Sequence, residues 1–288
     1  MNRWQSDMIE INGLRLHYTR TGGDKPPLVL AHGFSEDGLV WTALAEVLED
    51  EYDMIMPDAR DHGQSDAAET GLGTAELASD LHGIISGLGL DKPAVLGHSM
   101  GGMTTFALAG LYPDVPGAIL VEDGMPFEMR RTASENEGAR DGLRAYFDTI
   151  KGKNHEELMA WRRIQSPNWS ETDVRTFADA KIRLNPQTLA PFLNRDAVAP
   201  NARDMASPVD WPTLLRQIRC PTLLITGDPE LGAMVSASQA AALQEQVPAL
   251  RVAHIANASH DVRRDQSGDF LKVISPFLAD WASHLWPS

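Results

Sequence analysis

The pattern G-H-S-M-G at residues 97–101 constrains the fold of this chain more than any other feature of its sequence. An apolar run at 93–96 precedes it and reads as a buried strand. A stretch of small and apolar residues at 102–109 follows it and reads as a helix. So sharp a turn strains the backbone of Ser99 and exposes its hydroxyl, and the glycines avoid the clashes that a Cβ would make there. The sequence therefore predicts a strand, a tight turn at Ser99 and a helix.

Strand and helix patterns alternate on both sides of this turn. Short apolar runs, typical of parallel strands buried on both faces, lie at 28–31, 52–56, 93–97, 117–122, 221–226 and 250–255. Helical spacing fills the gaps, at 41–48, 74–88, 235–246 and 270–286. Near the start, Asn12-Gly13 separates two further strand patterns, and both residues tolerate the positive φ of a hairpin turn. The chain is therefore predicted to form an α/β fold with a mostly parallel sheet.

The alternation stops between residues 124 and 212. No comparable buried strand pattern occurs there, and helical spacing covers 139–150, 155–164 and 171–184. Ser170 and Asp173 form a capping pattern at the start of the last of these helices. Residues 124–212 are thus predicted to be a helical insertion after the sixth strand, with 1–123 and 213–288 forming the core.

Length, charge and cysteine content narrow the class of protein. The 288 residues suffice for one large core with a smaller insertion. A net charge of −15 disfavours nucleic acids and anionic membranes as partners, because both would repel the chain. No apolar stretch is long enough to span a bilayer, and the first residues lack the apolar core of a secretory signal. The single cysteine, Cys220, excludes an internal disulfide and is expected to be buried. These features predict a cytoplasmic protein.

Four sequence blocks, in this order, resemble those of the α/β-hydrolase superfamily. They are H-G-F at 32–34, the segment 57–66, the turn at Ser99, and the segment 256–260 that ends at His260. The second block is similar to the D-x-R-G-x-G-x-S pattern of that family, with Asp61 in place of the usual glycine. The resemblance covers nearly the whole chain. It implies a mostly parallel sheet with a helical cap, here 124–212, and the activity of a serine hydrolase of esterase or lactonase type.

Ser99 needs a base, because a serine hydroxyl is a poor nucleophile unless a neighbouring imidazole takes its proton. His260 follows the last strand in a short polar loop, and active-site loops gather at that edge of a parallel sheet. The family's chain order of serine, acid and histidine also selects His260 as the general base. Four other histidines are expected elsewhere. His98 lies beside the turn, His32 lies in the block at 32–34, where the family places its oxyanion loop, His254 lies in a strand, and His284 lies in the last helix.

An aspartate or glutamate must orient the imidazole and stabilise the imidazolium that forms. In relatives this acid usually stands three residues after the glycine that ends the seventh strand, which selects Glu230 after Gly227. Two alternatives remain open. Asp228 is the sequence neighbour, and Asp123 ends the sixth strand, from which some members of the superfamily draw their acid.

The resemblance further implies that two backbone N–H groups, those of Phe34 and Met100, stabilise the oxyanion of the tetrahedral intermediate. The helix that begins at Met100 adds the positive end of its dipole. No cofactor is implied, and no cluster of histidine, cysteine and aspartate has the spacing of a metal site. Catalysis is therefore expected to depend on Ser99, Glu230 and His260 without a cofactor or a metal.

A serine at this turn argues against haloalkane dehalogenases and epoxide hydrolases, which use a carboxylate there. It fits acyl transfer to water, so the expected substrate is a small or medium hydrophobic ester or lactone. Hydrolysis of a carbon–carbon bond in dienoic ring-fission products and cofactor-free perhydrolysis fit the same nucleophile. The non-enzymatic alternative is a hydrolase-like ligand receptor, in which slow hydrolysis accompanies the binding of another protein.

Residues 124–212 carry large apolar side chains that are expected to pack onto the core and to roof a pocket: Tyr146, Phe147, Met159, Trp161, Trp169 and Phe177. The same stretch carries four arginines whose ordinary place is a solvated helix face: Arg162, Arg163, Arg183 and Arg195. One of them facing the pocket would favour an ester that also bears a carboxylate.

Overall fold

The computed structural model describes residues 3–68, 72–126, 142, 144–184 and 209–286. Eight strands form one sheet in the order β1-β2-β4-β3-β5-β6-β7-β8. The strands are β1 (Gln5–Ile11), β2 (Leu14–Arg20), β3 (Pro27–Ala31), β4 (Asp53–Pro57), β5 (Ala94–His98), β6 (Ala118–Glu122), β7 (Thr222–Thr226) and β8 (Leu250–His254). Only β2 pairs antiparallel with its two neighbours, and every other pair is parallel. The prediction of a mostly parallel α/β sheet is confirmed.

Helices cover both faces of the sheet. They are α1 (Thr42–Leu48), α2 (Thr74–Gly87), α3 (Met100–Leu111), α4 (His155–Gln165), α5 (Glu171–Arg183), α6 (Trp211–Gln217), α7 (Ala237–Gln246), α8 (Val262–Asp265) and α9 (Ser267–Leu285). Short 3₁₀ helices span Gly38–Trp41 and Pro229–Leu231. The sheet and α2, α3, α6 and α7 enclose one apolar cluster, and the opposite face packs against α1 and α9 in a second.

Burial explains why the central strands are mainly apolar. All five residues of each of β3, β4, β5, β6 and β7 are buried, because helices lie on both faces. Phe106 of α3 and Phe270 of α9 fill the two sides and are at most 1% exposed. Burying a side chain of this size stabilises the fold by about 1.5–3 kcal/mol. At the sheet edge, Asn12 and Gly13 both have positive φ, as the predicted hairpin requires.

The register of the parallel strands brings four polar strand ends to one edge. His98 of β5 pairs with Glu122 of β6, so that Ser99 and Asp123, the next residues of each strand, emerge side by side. On the far side, Thr226 of β7 pairs with His254 of β8, and the loop to His260 begins there. The sequence predicted that the loop ending at His260 lies at this edge of the sheet, and the strand register confirms this prediction.

Of the residues predicted to form the insertion after β6, the structure describes 124–126, 142, 144–184 and 209–212, which include α4 and α5. Ser170 Oγ accepts from the backbone N–H of Asp173, which confirms the predicted cap of α5. The other residues of the predicted insertion, Arg195 among them, lie outside the described part of the chain. The division into a 124–212 cap and a two-part core therefore stays a prediction.

Cys220 is buried, as expected, and burial raises the pKa of its thiol to about 11. None of the helices in the described ranges is both long enough and apolar enough to span a membrane.

Candidate active site

The turn between β5 and α3 holds Ser99 in a strained conformation. Its φ of 53° and ψ of −110° lie where side chains other than glycine are uncommon. A Cβ on Gly97 would collide with the carbonyl of Gly101, and a Cβ on Gly101 would collide with the carbonyl of Ala31. Glycine at both positions thus lets α3 approach β5 and β3 closely, and this approach lifts the serine out of the strand.

The carboxylate that meets the imidazole of His260 belongs to Asp123. Asp123 Oδ2 lies 2.6 Å from His260 Nδ1. The same carboxylate, fully buried after β6, accepts the backbone N–H groups of Met234 and Val235 at 2.7 and 3.0 Å. Because a carboxylate only accepts, Nδ1 of the imidazole donates, and Nε2 is left able to take a proton.

The structure does not bring Glu230, the acid that the sequence spacing selects, to the imidazole. After β7 the chain enters the 3₁₀ helix Pro229–Leu231, and Glu230 is exposed to solvent there. Asp228 holds the turn instead, since its carboxylate accepts the N–H of Asn257 at 2.6 Å and lies 3.0 Å from His254 Nε2. Asp123, the alternative on the neighbouring strand, takes the position expected for Glu230.

Ser99 Oγ hydrogen bonds with a thioether in this structure. The oxygen lies 4.0 Å from Met234 Sδ, and within the described residues no hydrogen bond joins it to His260. Side chains of an active site are often loosely aligned before the substrate binds. No motif in the sequence points to Met234, which stands here because Asp123 holds its backbone.

The predicted oxyanion residues are neighbours. The side chains of Phe34, in the loop after β3, and Met100, at the start of α3, pack in one apolar cluster. His62 supports the loop, because its Nε2 accepts the backbone N–H of Ser35 at 3.2 Å. Burial, followed by the influence of His32, lowers the pKa of His62 to about 3 and keeps its ring neutral, as this acceptor role requires. The resemblance of segment 57–66 to the family pattern did not reveal this contact.

His98 also links the two loops of the site, a role that its assignment as a packing residue did not include. Its Nε2 donates to the backbone carbonyl of His260 at 3.0 Å, and its Nδ1 lies 3.6 Å from Glu36 Oε2. Glu36 in turn accepts the N–H of Gly33, next to Phe34. Burial acts to lower the pKa of His98, but the carboxylates of Glu122 and Glu36 raise it overall. The buried imidazole of His98 thus joins the loop of Phe34 to the loop of His260.

The grouping of Glu36, His98 and Asp261 does not favour a metal ion. Their potential ligand atoms lie within 4.8 Å of one another. However, Arg264 Nη1 donates to Glu36 at 2.8 Å and to Asp261 at 2.7 Å, so the guanidinium supplies the positive charge that a metal would bring. Burial acts to raise the pKa of Glu36, but Arg264 and His98 hold it well below its ordinary value.

The helices of the insertion are attached to both loops. Lys181 of α5 donates from Nζ to the carbonyl and hydroxyl oxygens of Ser35 at 2.8 and 2.7 Å. Trp169 Nε1 donates to Asp265 at 2.8 Å, and Asp265 also accepts the N–H of Ser259, which precedes His260. A displacement of α5 would therefore disturb the loop of Phe34 and the loop of His260 together.

Lys181 makes the stability of the fold depend on pH. Burial lowers the pKa of its ammonium from 10.5 to about 8. Between these two values the unfolded chain binds one more proton at this residue than the folded chain, so the free energy of unfolding contributed by Lys181 rises with pH. We expect the difference in unfolding free energy between the native protein and Lys181→Met to grow from pH 8 to pH 10. Urea unfolding at each pH measures it, and a difference that stays constant would contradict the prediction.

The chain belongs to the alpha/beta hydrolase fold family, whose model matches residues 26–262. It is 28% identical over 273 residues to 2-(acetamidomethylene)succinate hydrolase from Mesorhizobium japonicum, covering 95% of each chain. It is 27% identical over 278 residues to N-formylmaleamate deformylase from Pseudomonas putida, covering 94% of this chain and 95% of that one. A crystal structure of E-2-(acetamidomethylene)succinate hydrolase aligns with a TM-score of 0.78 over 96% of this chain and 99% of that chain, at 24% identity. This likeness confirms the fold.

The family and these relatives support hydrolytic activity. They do not fix the bond that is cleaved, since neither relative is named for an ester or a lactone.

Proposed function

We propose that this protein is a serine hydrolase in which Ser99, His260 and Asp123 form the catalytic triad. The observation that carries the proposal is the 2.6 Å hydrogen bond between His260 Nδ1 and the buried Asp123, beside the strained turn of Ser99. This bond fixes the tautomer in which Nε2 can act as a base. The proposed triad replaces Glu230 of the sequence prediction by Asp123 and keeps the other two residues.

The proposed reaction has two halves. His260 Nε2 takes the proton of Ser99 as Oγ attacks the substrate carbonyl, and the backbone N–H groups of Phe34 and Met100 stabilise the oxyanion. The imidazolium, stabilised by Asp123, then protonates the leaving group and leaves an acyl-enzyme. Water, activated by the same imidazole, releases the acid and restores Ser99. No step requires a cofactor or a metal.

The proposed substrate is a small or medium acyl compound, an ester or a lactone, bound between the core and a cap formed by residues 124–212. The aromatic rings of Phe34, Tyr146 and Phe147 adjoin one another, with centroids 5.2–6.2 Å apart, and supply an apolar surface next to the proposed oxyanion hole. Lys181 of α5 donates to Ser35 in the loop of Phe34, and Trp169, just before α5, donates to Asp265, which holds the loop of His260. Both contacts support a cap at this position.

Arg162 is the proposed contact for a carboxylate on the substrate, and its guanidinium already donates to Ser166 Oγ and Tyr146 Oη, both at 3.3 Å. Its guanidinium lies over Phe177, 3.9 Å from the ring centroid, and in the described part of the chain no carboxylate lies within an ion-pair distance of it. Arg163 pairs with Glu171, and Arg183 pairs with Asp37, so both are already neutralised. The two relatives are named for a succinate and a maleamate, both carboxylate-bearing compounds.

A second candidate is hydrolysis of a bond other than an ester. It is favoured by the names of the same relatives, which denote a hydrolase of an acetamidomethylene compound and a deformylase of an N-formyl compound. The proposed triad and oxyanion hole would serve amide hydrolysis, or the hydrolysis of a carbon–carbon bond in a dienoic ring-fission product, by the same attack on a carbonyl. The choice between these bonds rests on substrate tests.

The test is a screen of the purified protein with p-nitrophenyl butyrate, p-nitrophenyl hemisuccinate, lactones, N-acyl amides and a dienoic ring-fission product. Fast multiple turnover of an ester or lactone supports the first candidate, and turnover of only the amides or the dienoic compound supports the second. A single turnover with retained product would instead indicate a ligand receptor.

Arg162→Gln is expected to raise KM for the hemisuccinate about tenfold or more, the loss of one charge-assisted contact, while changing KM for the neutral butyrate little. Arg163→Gln is the matched control on the same helix and should change neither value. Equal effects of Arg162→Gln on both esters would rule out carboxylate recognition by this residue.

A further inference from the structure

The loop before α7 places a methionine sulfur directly beside the nucleophile. Met234 Sδ lies 4.0 Å from Ser99 Oγ, and the backbone N–H of Met234 donates to Asp123 at 2.7 Å. The backbone of Met234 is thus held by the same carboxylate that holds His260. Nothing in the proposed reaction uses the thioether.

Among the described residues, Met234 is more accessible to small molecules than most other methionines, and Met159 is also partly exposed. In the described residues, five methionines are at most 3% exposed: Met54, Met56, Met100, Met103 and Met125. Met234 is partly exposed, and Met8, 41% exposed on the edge strand β1, is far more open. Peroxides oxidise accessible thioethers to sulfoxides, and the change is reversed by methionine sulfoxide reductases.

We propose that Met234 is a site of reversible oxidation by peroxides, at which formation of the sulfoxide switches the hydrolase off. In this step the Met234 sulfur attacks one oxygen of hydrogen peroxide, an S–O bond forms and the O–O bond breaks. The second oxygen leaves as water after proton transfer. Sulfur loses two electrons and the peroxide gains them, so no further reactant is needed.

The geometry explains why the product would be inactive. A thioether is a weak acceptor, which Ser99 can leave when a substrate arrives, whereas a sulfoxide oxygen is a strong acceptor. With this oxygen on a sulfur only 4.0 Å away, the hydroxyl of Ser99 is expected to bind it and not His260 Nε2. The added oxygen also occupies space beside the nucleophile that the substrate needs. The loss of activity, though not the oxidation itself, rests on the proposed role of Ser99.

The experiment treats the native protein and Met234→Leu with hydrogen peroxide and compares each with its own untreated rate of ester hydrolysis. Met8→Leu is the matched control, since it removes the most exposed described methionine away from the site. We expect the activity of the native protein and of Met8→Leu to fall about tenfold or more as the sulfoxide forms at Met234. Peptide mass mapping locates the sulfoxide. Met234→Leu should stay within about twofold of its untreated rate. Methionine sulfoxide reductases should restore the native protein.

Three results would overturn the proposal: equal inactivation of Met234→Leu, full activity of a protein oxidised at Met234, and oxidation of Met8 with none at Met234. The reductase step uses the native chain alone, so the conclusion does not depend on the folding of a variant. Peptide mass also detects the sulfoxide in Ser99→Ala. If that variant still hydrolyses esters while Met234 is oxidised, the proposed function fails and the oxidation site stands.

Discussion

Ser99→Ala is expected to lower kcat for ester hydrolysis by about 10⁴-fold or more, because only the oxyanion hole and substrate binding would remain. The side chain is small and partly exposed on a turn whose glycines set the backbone, so the fold should survive the change. Steady-state kinetics with p-nitrophenyl butyrate, together with far-UV circular dichroism, provide the measurement. A variant that keeps a tenth of the native rate would rule out Ser99 as the nucleophile.

The same assignment predicts where a covalent inhibitor attaches and which histidine matters. A serine-directed organophosphonate should add one label, located at Ser99 by peptide mass mapping.

His260→Ala should lower kcat about as strongly as Ser99→Ala. The double variant should lower kcat little further, because residues that act as a unit have non-additive effects. His254→Ala and His284→Ala are matched controls and should be mild, since His254 pairs with Asp228 and His284 is exposed on α9.

The parts of the fold that local patterns determine were predictable from the sequence. Buried parallel strands must be largely apolar, and the turn at Ser99 requires glycines at fixed positions, so both leave a clear pattern. Adjacent parallel strands end at the same edge of the sheet, so the pairing of β5 with β6 is enough to bring Ser99 and Asp123 together. The position of His260 followed from the same edge rule.

The proposed acid, Asp123, could not be chosen from spacing, because its position beside His260 depends on long-range contacts. Asp123 is fixed by N–H groups of residues 111 and 112 positions later in the chain, Met234 and Val235. These contacts, and the 3₁₀ helix that turns Glu230 to solvent, exist only once β6 and β7 are paired. The sulfur of Met234 beside Ser99 is a consequence of the same contacts, which is why no motif revealed it.

The buried charges behind the site were also hidden from the sequence. Glu36, His98 and Arg264 come from three separate segments and neutralise one another only in the folded chain. Charged residues in a sequence ordinarily indicate an exposed surface, since unpaired charges are costly to bury. Their pairing here connects the loop of Phe34 with the loop of His260, so these residues position the site although they touch no reacting atom.

Asp123→Asn is expected to lower kcat by about 10⁴-fold, because an amide can favour the wrong tautomer of His260 and cannot stabilise the imidazolium. The side-chain amide oxygen can still accept one of the two backbone N–H groups. The amide NH₂ group, which is a donor, would then face the other backbone N–H group, that of Met234 or that of Val235. We therefore also expect a lower Tm, measured by thermal unfolding. The loss of kcat should nevertheless persist at temperatures well below the Tm, where the variant is folded.

Glu230→Gln is the matched control for Asp123→Asn, because it makes the same chemical change at the residue that sequence spacing selects. Its side chain is exposed in the 3₁₀ helix Pro229–Leu231, so kcat and Tm should both stay close to their native values. Asp228→Asn should lower Tm through its contact with Asn257 and affect kcat only mildly. If Glu230→Gln lowered kcat as strongly as Asp123→Asn, the loop after β7 would have to rearrange during catalysis to bring Glu230 to the imidazole. The resting contact between Asp123 and His260 would then be structural, and the triad proposed from it would be wrong.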